Sequence, residues 1–260
     1  MSDPISSTGI DPRIAVLEAE LAAVRAEMQA FTATVSHDLR APLRHITSFA
    51  QLLQEEAGSA LGDEAQVFLG HITGSAKQLA QMLDGLLALS RVGTAPVHVQ
   101  SVALGEVLAV LVQERVRDLQ SCQPERTVRW ALAPNLPVVQ ADASLLAAAL
   151  GQVLDNAVKF TARRAEATID IRASLDKDSG RIRCTVHDNG VGFNPDMSAK
   201  LFQPFIRLHS SGQFAGLGMG LALAHKSLLR MGGALAISAA PDEGCSVTVV
   251  MPAFEVPSTH

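Results

Sequence analysis

Cysteine is scarce in this chain. Three occur in 260 residues, Cys122, Cys184 and Cys245, widely spaced, odd in number and without a CxxC pair. That pattern argues against a disulfide framework or a zinc site and points to a reducing, cytoplasmic setting. Long apolar runs are missing too. No stretch approaches the ~20 apolar residues that cross a bilayer. "LAVLV" and "LLAAAL" are short enough to be pieces of core helices, so no membrane insertion is expected. The opening "MSDPISSTGIDPR" lacks a basic region followed by an apolar one, so no signal peptide is expected. Basic charge is not concentrated either. The 21 Lys and Arg are scattered against 26 Asp and Glu, for a net charge of -5, which argues against nucleic acid as a partner. There is no internal repeat. What remains is a chain that is 48% hydrophobic, enough for a buried core, and of a length for one large domain or two small ones.

The first third is patterned for helices. Residues 1–12 are polar and hold Pro4, Gly9 and Pro12, as a flexible tail would. Ile10, Ile14, Leu17, Leu21, Val24, Met28, Phe31 and Val35 then follow at alternating spacings of four and three, a heptad seam. Little apolar surface lies off the seam over residues 14–30, so self-association is expected rather than packing on the chain's own domain. After Val35 come Leu39, Leu43 and Ile46; the extra step of four is a stutter, which unwinds a supercoil locally. Pro42 removes a backbone donor and pushes on the carbonyl of Asp38, so a bend is expected there. "EEAGSALGDE" reads as a turn, with Asp63 able to cap a second helix. In it Leu69, Ile72, Ala76, Leu79, Leu83 and Leu86 repeat the seam, and "RVGTAP" ends it. Two amphipathic helices joined by a short turn form an antiparallel hairpin, and two hairpins bury their stripes by pairing into a four-helix bundle.

Residues 97–260 mix periods. Leu104–Leu119 and Ser144–Phe160 read as helices, the second capped by Asp142. "TVRWAL", "PVVQA", "ATIDIRASL" and "RIRCTVHD" read as strands, the last two joined by the turn "DKDSG". "LGMGLALAHKSLLRM" reads as a helix closed by Gly232 and Gly233, and "GALAIS" and "CSVTVVM" as a final hairpin around "APDEG". The expected fold class is α plus α/β, with helices over one sheet in a two-layer sandwich.

Four clusters in this half carry chemistry. Gln152, Asn156, Lys159 and Phe160 share one helix face, offering two amides, an ammonium and a ring. An amide oxygen can complete the shell of a magnesium ion that already carries triphosphate and water, and Lys159 can meet phosphate; alone, such residues most often sit in solvent. "HDNGVG", 187–192, ends a strand with a carboxylate that can accept from an exocyclic amine such as adenine's. Its glycines let a flat base approach the backbone, although "DNG" is also a good plain turn. "GLGMGL", 216–221, can aim backbone donors at phosphate from a helix N-terminus. The intervening "LFQPFIRLHSSGQFAG" is long, Gly- and Ser-bearing and little periodic, as lids often are.

The order "N-A-x-K-F", "D-N-G-V-G", "F-x-P-F", "G-x-G-x-G-L" closely resembles the ATP-binding domain of sensor histidine kinases, the Bergerat-type fold. "FTATVSHDLRAPLRHI" resembles the phosphoacceptor box of the same family. The resemblance covers roughly residues 31–252, and "SHDLRAPL" and "F-x-P-F-x-R-L-H" look most like kinases attached to phytochrome or similar sensors. It implies a tail and coiled-coil signalling helix over 1–30, a dimerisation and histidine phosphotransfer hairpin over 31–95, and a catalytic ATP-binding domain over 96–260. It implies ATP and Mg2+ as cofactors, with Asn156 as the magnesium ligand, Asp188 on the adenine amine, and Gly190 and Gly192 lining the base pocket. Phe202 and Phe205 would anchor the lid; Gly216, Gly218 and Gly220 would border the phosphates. Lys159, Phe160, Arg207 and Leu221 complete the implied nucleotide-binding set. Gln152 departs from the pattern, which usually has Asn there, so metal contact from 152 is not expected. Related ATPases place a Glu at this position as the base that activates water. Gln152 cannot take that proton, which disfavours simple ATP hydrolysis.

Within that frame "SHD" acquires a meaning. Phosphoryl transfer needs an aligned nucleophile, and neutral imidazole is a fair one near pH 7. If Asp38 accepts from Nδ1–H of His37, it fixes the tautomer, frees Nε2 and stabilises the cation that forms. His45, His71, His98, His187, His209 and His225 lack such a context and read as structural or exposed. The expected protein is an ATP-dependent histidine kinase, a homodimer that phosphorylates His37 and passes the group to an aspartate of a response-regulator receiver domain. No recognisable sensor domain precedes Ile14, so the chain is a fragment or takes its signal through the coiled coil or from an upstream sensor domain or protein. Ala41, four residues after His37, stands where many relatives have Thr or Asn, so weak phosphatase activity is expected. Two alternatives stay open: a non-catalytic histidine phosphotransfer protein with a decayed ATP site, and a serine kinase or anti-sigma module of the same ATP fold.

Overall fold

The computed structural model describes residues 12–58, 60–210 and 212–253. The expected tail at 1–12 and the first seam residue, Ile10, lie outside them except for Pro12. The chain divides into two compact units, Met1–Thr94 and Ala95–His260.

The first unit is a helical hairpin. Helix α1 spans Pro12–Ala57 and α2 spans Asp63–Thr94. Pro42 sits inside α1, which is helical on both sides of it. Asp63 is the first residue of α2 rather than its cap; with Glu64 it places negative charge in the first turn, where the helix dipole favours it. The heptad positions sort into two rows on each helix. In α1, Ser36, Leu43 and Ala50 are buried, while Leu39, Ile46 and Leu53 are exposed. In α2, Leu69, Ala76 and Leu83 are buried, while Ile72, Leu79 and Leu86 are 47%, 44% and 38% exposed. Each row repeats every seven residues. One row closes the hairpin, with Leu43, Ala76 and Leu83 in a single cluster, and the other faces outward. Arg40 donates to Asp84 at 2.6 Å across the two helices. Farther up α1, Leu17, Val24, Met28 and Phe31 are all exposed in the single chain.

The second unit has a five-stranded sheet in the order β2-β4-β5-β7-β6, formed by Val128–Leu132 (β2), Ala167–Asp176 (β4), Arg181–Asp188 (β5), Ala234–Ala240 (β6) and Gly244–Pro252 (β7). β2 pairs with β4 in parallel; the other neighbours are antiparallel. A separate two-stranded sheet joins β1 (Gln100–Ala103) to β3 (Val138–Ala141). β3 falls on the expected "PVVQA", but β1 and the pairing of the two are not apparent in the sequence, because the four residues "QSVA" show no apolar alternation. Helices α3 (Leu104–Cys122), α4 (Ala143–Phe160) and α5 (Gly220–Arg230) share one core with the sheet. Leu108 of α3, Leu146, Leu150 and Leu154 of α4 and Leu228 of α5 pack with Ile169, Ile171, Val186 and Val249, all essentially without exposure.

α4 is fixed at both ends. Asp142 caps it, accepting from the backbone N–H of Ser144 and Leu145, and its other oxygen accepts from His98 N–H at 2.9 Å. At the far end the Arg126 guanidinium donates to the carbonyl of Val158 and the hydroxyl of Thr161. α5 begins at Gly220, three residues later than the pattern "LGMGL" suggests. Gly216 and Gly218 hold φ of +123° and +75°, which cannot be part of a right-handed helix. It ends as expected, with Gly232 at φ +67° and Gly233 N–H bonded to the carbonyl of Leu228.

Asp142→Ala should destabilise the second unit by about 1–2 kcal/mol, measured as a shift in the denaturant midpoint. The backbone N–H of His98, then that of Leu145, hold the Asp142 carboxyl below its usual range. Its contribution is therefore complete above the ordinary carboxylate pKa and fades as pH falls through the depressed value. An unchanged midpoint at pH 7 would show that the cap is not stabilising.

Candidate functional site

Two groups of chemical side chains emerge, one in each unit. On the hairpin, His37 projects from α1 with its side chain 84% exposed. Its Nδ1 lies 3.2 Å from Oδ1 of Asp38, the adjacent residue. That contact leaves Nε2 facing solvent. The buried neighbour Ser36 occupies the inward row, so His37, one residue on, is turned out of the hairpin by the 100° step of the helix.

In the second unit the site is assembled around α4. One face of this helix, from Leu146 to Ala157, is buried in the core. Gln152, Asn156, Lys159 and Phe160 lie on its half-exposed flank. The glycine segment 216–220 runs along this flank. A Cβ added at Gly220 would sit 2.6 Å from Oε1 of Gln152 and 3.8 Å from Nδ2 of Asn156, and one at Gly216 would sit 3.5 Å from Nζ of Lys159. The two amides and the ammonium therefore face the backbone at the start of α5. Gln152 does so by covering Gly220. Burial, then the nearby Arg207 charge, depress the Lys159 pKa, so an anion placed there meets a poorly hydrated cation.

Asp188 stands at the end of β5. Residues Ile182, Cys184, Val186 and Asp188 alternate on one face, so the strand's own period puts this carboxylate in line with the core row, and it is only 4% exposed. Burial pushes its pKa up to about 6, opposed by the N–H of Gly190, the charge of His187 and the N–H of Cys245. Gly190 N–H donates to Oδ1 at 2.8 Å. Beyond it Gly192 has φ +60°, and a Cβ there would collide with the carbonyl of Ala240, so the turn is pressed against the end of β6.

The segment between β5 and α5 folds over these elements, with a short 3₁₀ helix at Pro195–Lys200. The Phe202 ring stacks on His225 of α5 at 4.8 Å. Phe205 is held by its backbone, with φ +66° and its N–H on the carbonyl of Gly218 at 3.1 Å, while its ring is 40% exposed. Arg207 donates to the carbonyl of Phe214. Leu221 is half-buried against the core. Two residues join the site that sequence reasoning did not single out. Phe214 is 7% exposed and meets the Phe160 ring edge-on at 5.1 Å. His209 packs on both rings and bonds through Nε2 to the carbonyl of Gly192. In "RLHSSGQF" the two rings stand five residues apart with no period between them, so nothing local marked this cluster.

The arrangement has the donors and acceptors that a nucleotide triphosphate requires. A buried carboxylate beside a glycine turn suits an amine on a flat base, and an ammonium with glycine backbone at a helix start suits phosphate. Among the described residues no group of three His, Cys, Asp or Glu gathers into a metal site. Gln152 Oε1 is packed over Gly220, so the amide left to meet a magnesium ion is that of Asn156, and a single neutral oxygen fits an ion brought by the phosphates rather than one held by the protein alone.

The sequence matches two families in tandem. Residues 27–95 match the His Kinase A (phospho-acceptor) domain, and residues 141–255 match the histidine kinase-, DNA gyrase B- and HSP90-like ATPases. A 233-residue alignment with the methanogenesis regulatory histidine kinase FilI of Methanothrix harundinacea is 30% identical and covers 90% of this chain and 25% of that protein. Cyanobacterial phytochrome A of Nostoc sp. is 28% identical over 239 residues, 92% of this chain and 30% of its own length. The crystal structure of full-length ShkA in complex with AMPPNP superimposes with a TM-score of 0.60 at 26% identity, covering 88% of this chain and 47% of that one. A phosphoacceptor hairpin followed by a nucleotide domain of the ATPase type is thus the class that fold and sequence define. The chain belongs to the sensor histidine kinase family. It spans between a quarter and a third of the length of these two curated relatives. No helix among the described residues is long and apolar enough to cross a membrane.

The buried Asp188 carboxylate opposes folding at neutral pH. Its pKa is raised on folding, so between about pH 4 and 6 the native state binds more protons than the unfolded one, and stability falls as pH rises through that window. Asp188→Asn should therefore raise the thermal midpoint of the nucleotide-free protein at pH 7.5. The gain, on the order of 1–3 kcal/mol, should vanish below about pH 4. Equal midpoints at both pH values would show that the carboxylate is well solvated.

Proposed function

We propose that this protein is an ATP-dependent histidine kinase that phosphorylates His37 and passes the phosphoryl group to an aspartate of a response-regulator receiver domain. The observation that carries the proposal is the His37–Asp38 pair. An exposed imidazole has Nδ1 against a carboxylate and Nε2 open, in a chain that also holds the nucleotide constellation around Asp188 and α4. Asp38 accepts a hydrogen bond from Nδ1–H, which keeps the proton on Nδ1 and the lone pair on Nε2. Nε2 attacks the γ-phosphorus of ATP, the bond to the β-phosphate oxygen breaks, and ADP is released. Asp38 then balances the positive ring. Asp188 takes the adenine amine, Lys159 meets phosphate, and the Gly216–Gly220 backbone donates to the phosphates. Gly190, Gly192 and Phe160 line the base side, and Phe205, Arg207 and Leu221 belong to the lid and its seat. Mg2+, when bound, would screen the charge of the phosphates, and Asn156 would offer it an amide oxygen. Gln152, packed over Gly220, is not a ligand and carries no base function.

The working unit is a homodimer. The outward rows Leu39–Ile46–Leu53 and Ile72–Leu79–Leu86 are too long and regular to be left in water, and a second hairpin covers them as a four-helix bundle. Within residues 1–30 the described start of α1 acts as the signalling helix, with 31–95 as the phosphoacceptor hairpin and 96–260 as the catalytic domain. Input arrives through the coil from a sensor domain or a sensor protein. We place the protein in the cytoplasm, where ATP and receiver domains are found.

With γ-labelled ATP, His37→Gln should abolish labelling while leaving nucleotide binding intact. Asn156→Asp should weaken magnesium-ATP use by at least ~10-fold, because a new negative charge faces the phosphates. Label persisting on His37→Gln would rule out the phosphoacceptor.

Ala41 lies one turn beyond His37 on α1, on the same side of the helix. It has no group to hold a water in line with a phospho-aspartate on the bound receiver. Wild type should therefore barely accelerate decay of the phosphorylated regulator, and Ala41→Thr should gain activity of about 10²-fold. Equal decay with both proteins would assign the water to another group.

A further inference from the structure

Arg164 follows the last residue of α4, Phe160, by four. Its guanidinium reaches three carbonyls: Nε donates to Asn189 O at 2.7 Å, and Nη2 donates to Gly190 O at 2.9 Å and to Asp242 O at 2.7 Å. The first two belong to the turn after Asp188, and the third to the turn between β6 and β7. The same stretch of chain grips the turn again, since Thr168 N–H donates to Oδ1 of Asn189 and Nδ2 of Asn189 donates to Glu166 O. Asp242 N–H closes the loop on Val191 O at 2.8 Å.

The contact to Asn189 O has a specific consequence. That oxygen and the Gly190 N–H belong to one peptide plane. In a planar trans peptide the two point in opposite directions. Holding the oxygen on the guanidinium therefore aims the N–H at Oδ1 of Asp188, where it is found at 2.8 Å. A glycine on one side of that plane would otherwise let it rotate freely.

We propose that Arg164 is a positioning residue for base recognition, orienting the Asp188 carboxylate through the 189–190 peptide while it ties the recognition turn to the β6–β7 turn. The inference rests on the reading that Asp188 meets the adenine amine. Arg164 does not touch the nucleotide; its effect travels through one backbone unit. A planar fork with several N–H groups suits this task and an ammonium does not, since Lys cannot serve three carbonyls in fixed directions.

The test compares the full chain's binding of ATP and of purine riboside triphosphate, which lacks the 6-amino group. Wild type should prefer ATP by about 10-fold or more. Arg164→Ala should lose most of that preference, with ATP weakened about 10-fold and the analogue changed less than about 2-fold. If Arg164→Ala does not fold, Arg164→Lys takes its place and should also lose most of the preference. A wild type with no preference would remove Asp188 from the amine and overturn both readings. A wild type that prefers ATP, with a variant weakened equally for both nucleotides or for neither, would overturn the positioning role alone.

Discussion

Everything chemical in the second unit depends on the burial of one face of α4. Leu146, Leu150 and Leu154 have no exposure, and turning the helix by even one residue's step of 100° would bring them into water. Fully burying each such side chain is worth about 1.5–3 kcal/mol, so the rotation of the helix is not negotiable. Gln152, Asn156 and Lys159 then have no choice of direction; they face the glycine segment because the leucines face the sheet. The Asp142 cap and the Arg126 fork fix the two ends, so translation along the axis is resisted as well.

Around this rigid part the site breaks local rules in ways that only the surrounding packing makes tolerable. Asp188 occupies a core position of β5 with a charge. Phe205 adopts a positive φ that a bulky residue rarely takes, and Gly218 must lie so close to Ile206 that no side chain fits. Lys159 is kept partly dry beside Arg207. Each feature opposes folding slightly, and together they describe a surface built for a charged, flat ligand rather than for maximal stability.

The hairpin meets a different demand. A single pair of helices can hide one row of each heptad seam and not the other, because the two rows lie on different sides of the helix. Leu43 and Leu83 find each other within the chain, while Ile46 and Leu79 keep nearly half of their surface in water. The same geometry that sends Ser36 inward turns His37 out. The exposure of the second apolar row and the accessibility of the imidazole thus both follow from where the inner row runs.

Much of this was legible in the order of residues. The seams, the Asp142 cap, the β4–β5 and β6–β7 hairpins and the polar flank of α4 all follow from local periods and caps, which act over a few residues and need no partner. The His37–Asp38 contact is local too, since adjacent residues on a helix can meet without help. Other features needed the folded chain. The parallel pairing of β2 with β4, the small β1–β3 sheet and the packing of His209 and Phe214 on Phe160 join segments about 40 to 55 residues apart, and the late start of α5 is set by neighbours outside it; no local period records such contacts. The sequence by itself determined which groups are present and which face of each element they share. Only the tertiary structure decided that Asp188 would be buried, that Gln152 would cover Gly220 and that Arg164 would grip the turn beyond Asp188, because burial and long-range hydrogen bonds depend on which surfaces meet and not on the spacing along any one of them.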